Sequence, residues 1–152
     1  MNILDLNHVA LFVQDLGRSR RFYCEVLGMQ EIPSGGNCFL RKGSAEVHLL
    51  GASEGRGVEL HYHADDLADG YITHFAFEVD DLGKAQEQLR NYNIQIVCGP
   101  RPRFDGKEQL YFCDPDGNML ELLSMLPESP QPELGIVGWS RWNEIHEAAQ
   151  GR

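Results

Sequence analysis

Four side chains could do chemistry together: His8, His48, His74 and Glu121. Three imidazoles and a carboxylate are the donors that a borderline divalent ion accepts, whether zinc, manganese, iron(II), nickel or cobalt. Any one of them alone reads as a hydrogen-bonded structural residue; their spacing makes them a set. His8 heads the run "HVALFV" and His74 heads "HFAFEV", 66 residues later. His48 lies in "AEVHLL" and Glu121 in "NMLELL", 73 residues apart. A duplicated unit with approximate two-fold symmetry would carry these side chains to matching places around one axis. An ion held there with open positions polarises two neighbouring substrate oxygens, and a carboxylate or histidine moves a proton. Glu121 and His48 are the candidates for that catalytic role.

The elements that must position these residues follow from the repeat. Sliding the chain by 66 residues lays Asn7 to Gly17 on Thr73 to Gly83, with six of eleven positions identical. Self-similarity of this kind marks a duplicated supersecondary unit. His8, Ala10 and Phe12 share one face of an alternating run, with Val9, Leu11 and Val13 on the other, which predicts a strand. Helical spacing follows in both copies, with Leu16, Ser19, Tyr23 and Val26 matched by Leu82, Ala85, Leu89 and Tyr92 as core-facing positions. Asp15 and Asp81 are placed as N-caps, and Gly28 and Asn93 can take the left-handed stop. Apolar runs at 29–33 and 94–98 add a strand each. "FLRKGSAEVHLL" and "FCDPDGNMLELL" then read as two strands about a tight turn. The ligand side chains fall on one face of the last strand and aliphatic residues on the other. Seven extra residues in the second copy fall near "GPRPRFDGKEQ", read as a loop.

The fold class expected is therefore α+β, with two βαβββ modules: the first at about 4–50, a glycine-rich acidic linker at 51–71, and the second at about 72–125. A tail at 126–152, with three prolines in "PESPQP", carries a short helical pattern with Trp139 and Trp142 and reads as a surface cover, a dimer contact or a lid.

Composition narrows the function. The 152 residues are 42% hydrophobic and 24% charged, as in water-soluble globular proteins. No apolar run approaches a membrane span, and "MNILDLNHVA" has no signal-peptide pattern, so the cytoplasm is the default. A net charge of −10, from 13 basic against 23 acidic residues, repels nucleic acid, and a small-molecule substrate is the better expectation. Cys24, Cys38, Cys98 and Cys113 are scattered without a CxxC pair and read as reduced core residues. Arg101 and Arg103, with Lys107, could meet an anionic substrate, and Tyr111 could line the pocket. His61 and His63, beside Asp65 and Asp66, read as a solvated linker pair or a pocket acid and base. His146 reads as chemically idle.

With "NHVALFVQDLGRSRRFYCEVLGM", "THFAFEV" and "FCDPDGNMLEL" spanning about residues 4 to 125, the sequence resembles the vicinal oxygen chelate superfamily of glyoxalase I, bleomycin and fosfomycin resistance proteins and extradiol dioxygenases. The resemblance implies paired βαβββ modules forming an open, U-shaped eight-stranded barrel around one divalent metal, commonly in a homodimer. It implies His8, His74 and Glu121 as metal ligands, with His48 where glyoxalases carry a glutamate. It implies lyase or isomerase chemistry; the alternatives are iron(II) ring-cleaving dioxygenation and metal-free antibiotic binding. Phe12 stands where glyoxalase I has an arginine for the glutathione carboxylate, which argues against that thiol as the substrate's carrier.

Overall fold

Both copies of the repeat fold as their patterns require. The computed structural model describes residues 1–2, 5–51, 73–103 and 105–126. In the first copy, β1 (Val9–Val13) leads into α1 (Leu16–Arg21), which continues as a π-helical stretch over Phe22–Val26, and then into β2 (Gln30–Ile32), β3 (Cys38–Lys42) and β4 (Ala45–Gly51). In the second, β5 (Phe75–Glu78) leads into α2 (Leu82–Asn91), β6 (Ile96–Pro102), β7 (Lys107–Cys113) and β8 (Met119–Met125). The aspartate carboxylates cap the helices as expected, accepting from the N–H groups of Arg18 and Lys84 at 2.9 Å each. Gly28 (φ 68°) and Asn93 (φ 55°) provide the left-handed stops.

The strand order is β1-β4-β3-β2 in one sheet and β5-β8-β7-β6 in the other. In each the first strand runs parallel to the last and lies at an edge. Register fixes which residues share a face: Ala10 stands opposite His48 and Ala76 opposite Glu121, so the two copies superpose position for position. The opposite, apolar faces meet in one core, where Val47, Leu49 and Phe22 pack with Leu110, Phe112 and Leu120. Two residues expected in the core are outside it. Leu16 is 36% and Tyr92 45% exposed. Both sit at helix ends, where the 3.6-residue period has not started or has already been broken by the cap.

The extra residues of the second copy are mostly strand rather than the expected loop. β6 runs on to Pro102 and pairs with β7 through two register shifts, between Ile96 and Cys98 and between Cys98 and Arg101. Such bulges bend a strand and re-aim its side chains, which also hides the alternation in the sequence. All four cysteines are free. Burial pushes the thiols of Cys24, Cys38 and Cys113 up.

The two copies are locked together by the turn "DPDG". Asp114, 5% exposed, accepts from the N–H groups of Asp116 and Asn118, from the Asn118 amide, and from the Tyr23 hydroxyl of the first copy at 2.9 Å. Burial, followed by the nearby Asp114 carboxylate, pushes the Tyr23 hydroxyl far up, so it stays a donor. Asp116 reaches the start of α1, accepting from Gln14 N–H at 2.9 Å, Arg18 Nη2 at 2.8 Å and the Ser19 hydroxyl. Among the described residues no helix is long and apolar enough to cross a membrane. His61, His63, Asp65, Asp66, Trp139, Trp142, His146 and the helix expected in the tail lie outside the described residues.

Candidate metal centre

The second module holds its candidate ligands close together. Glu121, in the middle of β8, is 2% exposed. A carboxylate buried that deeply needs partners for both oxygens. Oε2 lies 2.9 Å from His74 Nε2, and Oε1 accepts from Arg103 Nη1 at 2.7 Å. The Gln109 amide, oriented to satisfy both of its ends, donates to Oε1 at 2.8 Å and accepts from Arg101 Nε at 3.2 Å. Tyr111, opposite Glu121 in the register, meets the His74 ring edge-on at 5.2 Å, and the Arg101 guanidinium lies 5.8 Å over the Tyr111 ring. Burial and the Glu121 charge push the Tyr111 hydroxyl up, against a hydrogen bond from Arg101.

The first module builds the looser counterpart. His8 Nδ1 lies 2.7 Å from Asn7 Oδ1. An amide oxygen only accepts, so this contact selects the Nδ1–H tautomer and leaves the lone pair on Nε2, as a metal ligand requires. The His48 ring stacks on Phe39 at 3.9 Å and lies 6.1 Å from the His8 ring. His48 Nε2 is buried with no hydrogen-bond partner among the described residues.

This donor set can be tested against an ion. Two donors bound at about 2.0–2.2 Å and set near a right angle lie about 3 Å apart. The 2.9 Å between His74 Nε2 and Glu121 Oε2 is a hydrogen bond in this structure, and an ion that displaced its proton would find the two atoms already at the spacing of adjacent ligands. Among the described residues no three histidine, cysteine or acidic side chains converge. The structure thus brings together His74 with Glu121, and His8 with His48, on different sheets. His8 and His74 line one crevice of about 610 Å³ between β1 and β5.

The family model described as the Glyoxalase/Bleomycin resistance protein/Dioxygenase superfamily matches residues 5–122. The chain belongs to this superfamily. Its curated superfamily relatives include a protein of Arabidopsis thaliana named "Probable lactoylglutathione lyase, chloroplastic", 33% identical over 137 residues, which cover 82% of this chain and 37% of that one. Another is the metallothiol transferase FosB of Staphylococcus epidermidis, 31% identical over 126 residues, covering 80% of this chain and 82% of that one. A solved structure from the mobile metagenome of V. Pseudocholerae, 29% identical, superposes with a TM-score of 0.63 over 86% of this chain and 98% of that one. The paired βαβββ architecture expected from the repeat is that of the superfamily.

Two of the candidate pocket residues are placed differently from their sequence reading. Arg101 and Arg103 were expected in a loop; Arg101 lies in β6 and Arg103 follows that strand directly, their guanidinium groups reaching Gln109 and Glu121 respectively. Lys107 instead pairs with Glu78 at 3.1 Å. Gln109 was missed. Its signal was parity, since it stands two residues before Tyr111 on the same face of β7.

Proposed function

We propose that the chain is a divalent-metal-dependent enzyme of the glyoxalase type, a lyase or isomerase acting on a small substrate with adjacent oxygens. The observation that carries this reading is the 2.9 Å approach of His74 Nε2 to the buried Glu121 carboxylate, at positions where the superfamily resemblance implies ligands. His74, Glu121 and His8 would hold the ion, with His48 as a fourth donor or as a pocket acid and base. When bound, a divalent ion stabilises negative charge developing on neighbouring substrate oxygens. Zinc, manganese, iron(II), nickel and cobalt all suit such ligands.

The chain's own side chains do the rest. Burial of Glu121 keeps water from its carboxylate, and the edge of Tyr111 sets the plane of the His74 ring. Of the two catalytic candidates, Glu121 has both oxygens engaged, whereas His48 Nε2 has no partner among the described residues and is the better atom to take and return a proton. Arg101, lying over the Tyr111 ring that meets His74, would offer a cation to an anionic substrate group. Completing the ligand set requires the two ligand-bearing faces to meet. β1 and β5 are both edge strands among the described residues and flank the same crevice, and a homodimer that closes over this crevice is the assembly proposed.

Thiol transfer to an anionic substrate is a second reading, favoured by the relative named as a metallothiol transferase and by the Arg101 guanidinium beside the site. Elemental analysis of native-purified wild type, His74→Ala and Glu121→Ala, dialysed without chelator, tests the metal centre. About one ion per chain in wild type and little in either variant supports it. No metal in any sample, even after reconstitution, would overturn it in favour of a binding protein. Assays of hemithioacetal isomerisation and of thiol consumption then separate the two reactions.

A further inference from the structure

The two modules treat equivalent positions differently. His48 in the first module stacks on Phe39 with one nitrogen unpartnered, while Glu121 in the second is held on both sides. The difference comes from the residues the second module has in excess. They extend the β6–β7 hairpin, which the Arg103 N–H closes onto the Lys107 carbonyl at 2.6 Å, placing the Arg103 side chain beside β8. Among the described residues the guanidinium is held at two points, Nε on Asp105 at 3.2 Å and Nη1 on Glu121 Oε1 at 2.7 Å. Gln109 reaches the same Oε1 from β7 at 2.8 Å. All of this contact falls on one oxygen. Oε2 is left facing His74.

We propose that Arg103, assisted by Gln109, is a positioning residue that makes Glu121 a one-oxygen metal ligand, holding Oε1 so that Oε2 alone is presented beside His74. The proposal rests on the metal centre argued above. Two effects of the guanidinium oppose each other. Its charge repels a cation, but Asp105 and Glu121 pair with it closely and offset much of that charge. Anchored on Asp105, its Nη1 holds Oε1 of a carboxylate that would otherwise be free to turn and bind through both oxygens. The orienting effect wins, because partners that hold a ligand in place typically change metal affinity by about 10–100-fold.

The test is Co²⁺ titration of the chelator-stripped full chain, by calorimetry and visible absorption, on wild type, Arg103→Met, Arg103→Lys and Gln109→Leu, with circular dichroism confirming the fold. Arg103→Met should bind Co²⁺ about 10–100-fold more weakly. Its visible band should change intensity as Oε1 joins the coordination. Arg103→Lys should recover part of the loss, and Gln109→Leu should show a smaller one. Should Arg103→Met fail to fold, the lysine and Gln109 variants carry the same comparison. Unchanged or tighter Co²⁺ binding in the folded variants would overturn the proposal and leave Arg103 as a bare charge or a substrate contact. Wild type that binds no Co²⁺ would overturn the metal centre itself, and this proposal with it.

Discussion

Replacing Asp116 with alanine should cost more stability than any single surface charge in the molecule. Its carboxylate, whose side chain is 4% exposed, receives three donors from the opposite module: the Gln14 N–H, Arg18 Nη2 and the Ser19 hydroxyl. Ser19 is completely buried, so its hydroxyl has no water to turn to once the aspartate is gone. Each donor left unsatisfied costs about 1–3 kcal/mol. The Arg18 pair adds little, at most about 1 kcal/mol, because Arg18 is 45% exposed and water screens it. The Gln14 N–H is exposed and can turn to water, so Asp116→Ala should lose roughly 2–4 kcal/mol, a sizeable part of the stability of an ordinary domain. Arg18→Ala should lose about 1 kcal/mol or less. Urea unfolding followed by circular dichroism, with a common slope, measures both. If Asp116→Ala unfolds within about 1 kcal/mol of wild type, or no earlier than Arg18→Ala, the turn does not clamp the modules and the reasoning fails.

Two further outcomes are expected. Gly99 adopts φ +89°, and a Cβ there would lie 2.5 Å from the Gln109 carbonyl oxygen and 2.9 Å from Leu110 Cα. Backbone atoms cannot swing aside, so Gly99→Ala should destabilise by about 3 kcal/mol or more and displace Gln109 from Glu121; an unfolding midpoint equal to wild type would contradict this. The N–H groups of Arg18 and Lys84 hold the Asp15 and Asp81 carboxyls below their usual value of 3.8. With folded values below unfolded ones, their contribution is present above that pH and drains away as the pH falls below it. The double Asn variant should therefore show a shallower loss of stability on acidification below about pH 4, and an unchanged slope would refute the assignment.

What was legible in the sequence was what depends on neighbours in the chain. The alternation around His8 and His74, the caps at Asp15 and Asp81, and the stops at Gly28 and Asn93 are each set by a handful of adjacent residues. The duplication then supplied the pairing of sheet positions without any knowledge of distance. What stayed hidden involves contacts between distant segments. "DPDG" reads as a tight turn, and nothing near it in sequence shows that Asp114 and Asp116 grip Tyr23, Arg18 and Ser19, nearly a hundred positions earlier. Arg101 looked like a loop charge because the bulges in β6 erase the period that would have marked its strand. The separation of the four candidate ligands onto two sheets is likewise a matter of how modules pack, which a repeat pattern cannot convey.

Duplication also leaves a lineage with a spare copy of every position, and these modules have used the spare unequally. Around Glu121 an arginine, a glutamine and a histidine share one buried carboxylate, so exchanging any one of them removes a hydrogen bond from a buried charge. His48, leaning on Phe39 by ring contact alone, carries no such obligations among the described residues. Substitutions there disturb the ring cluster of His8, Phe39 and His48 instead of a hydrogen-bonded network. In hydrogen-bonding terms the first module is the less committed half, so a change at Phe39 or His48 reshapes that half of the site while the network around Glu121 stays as it is.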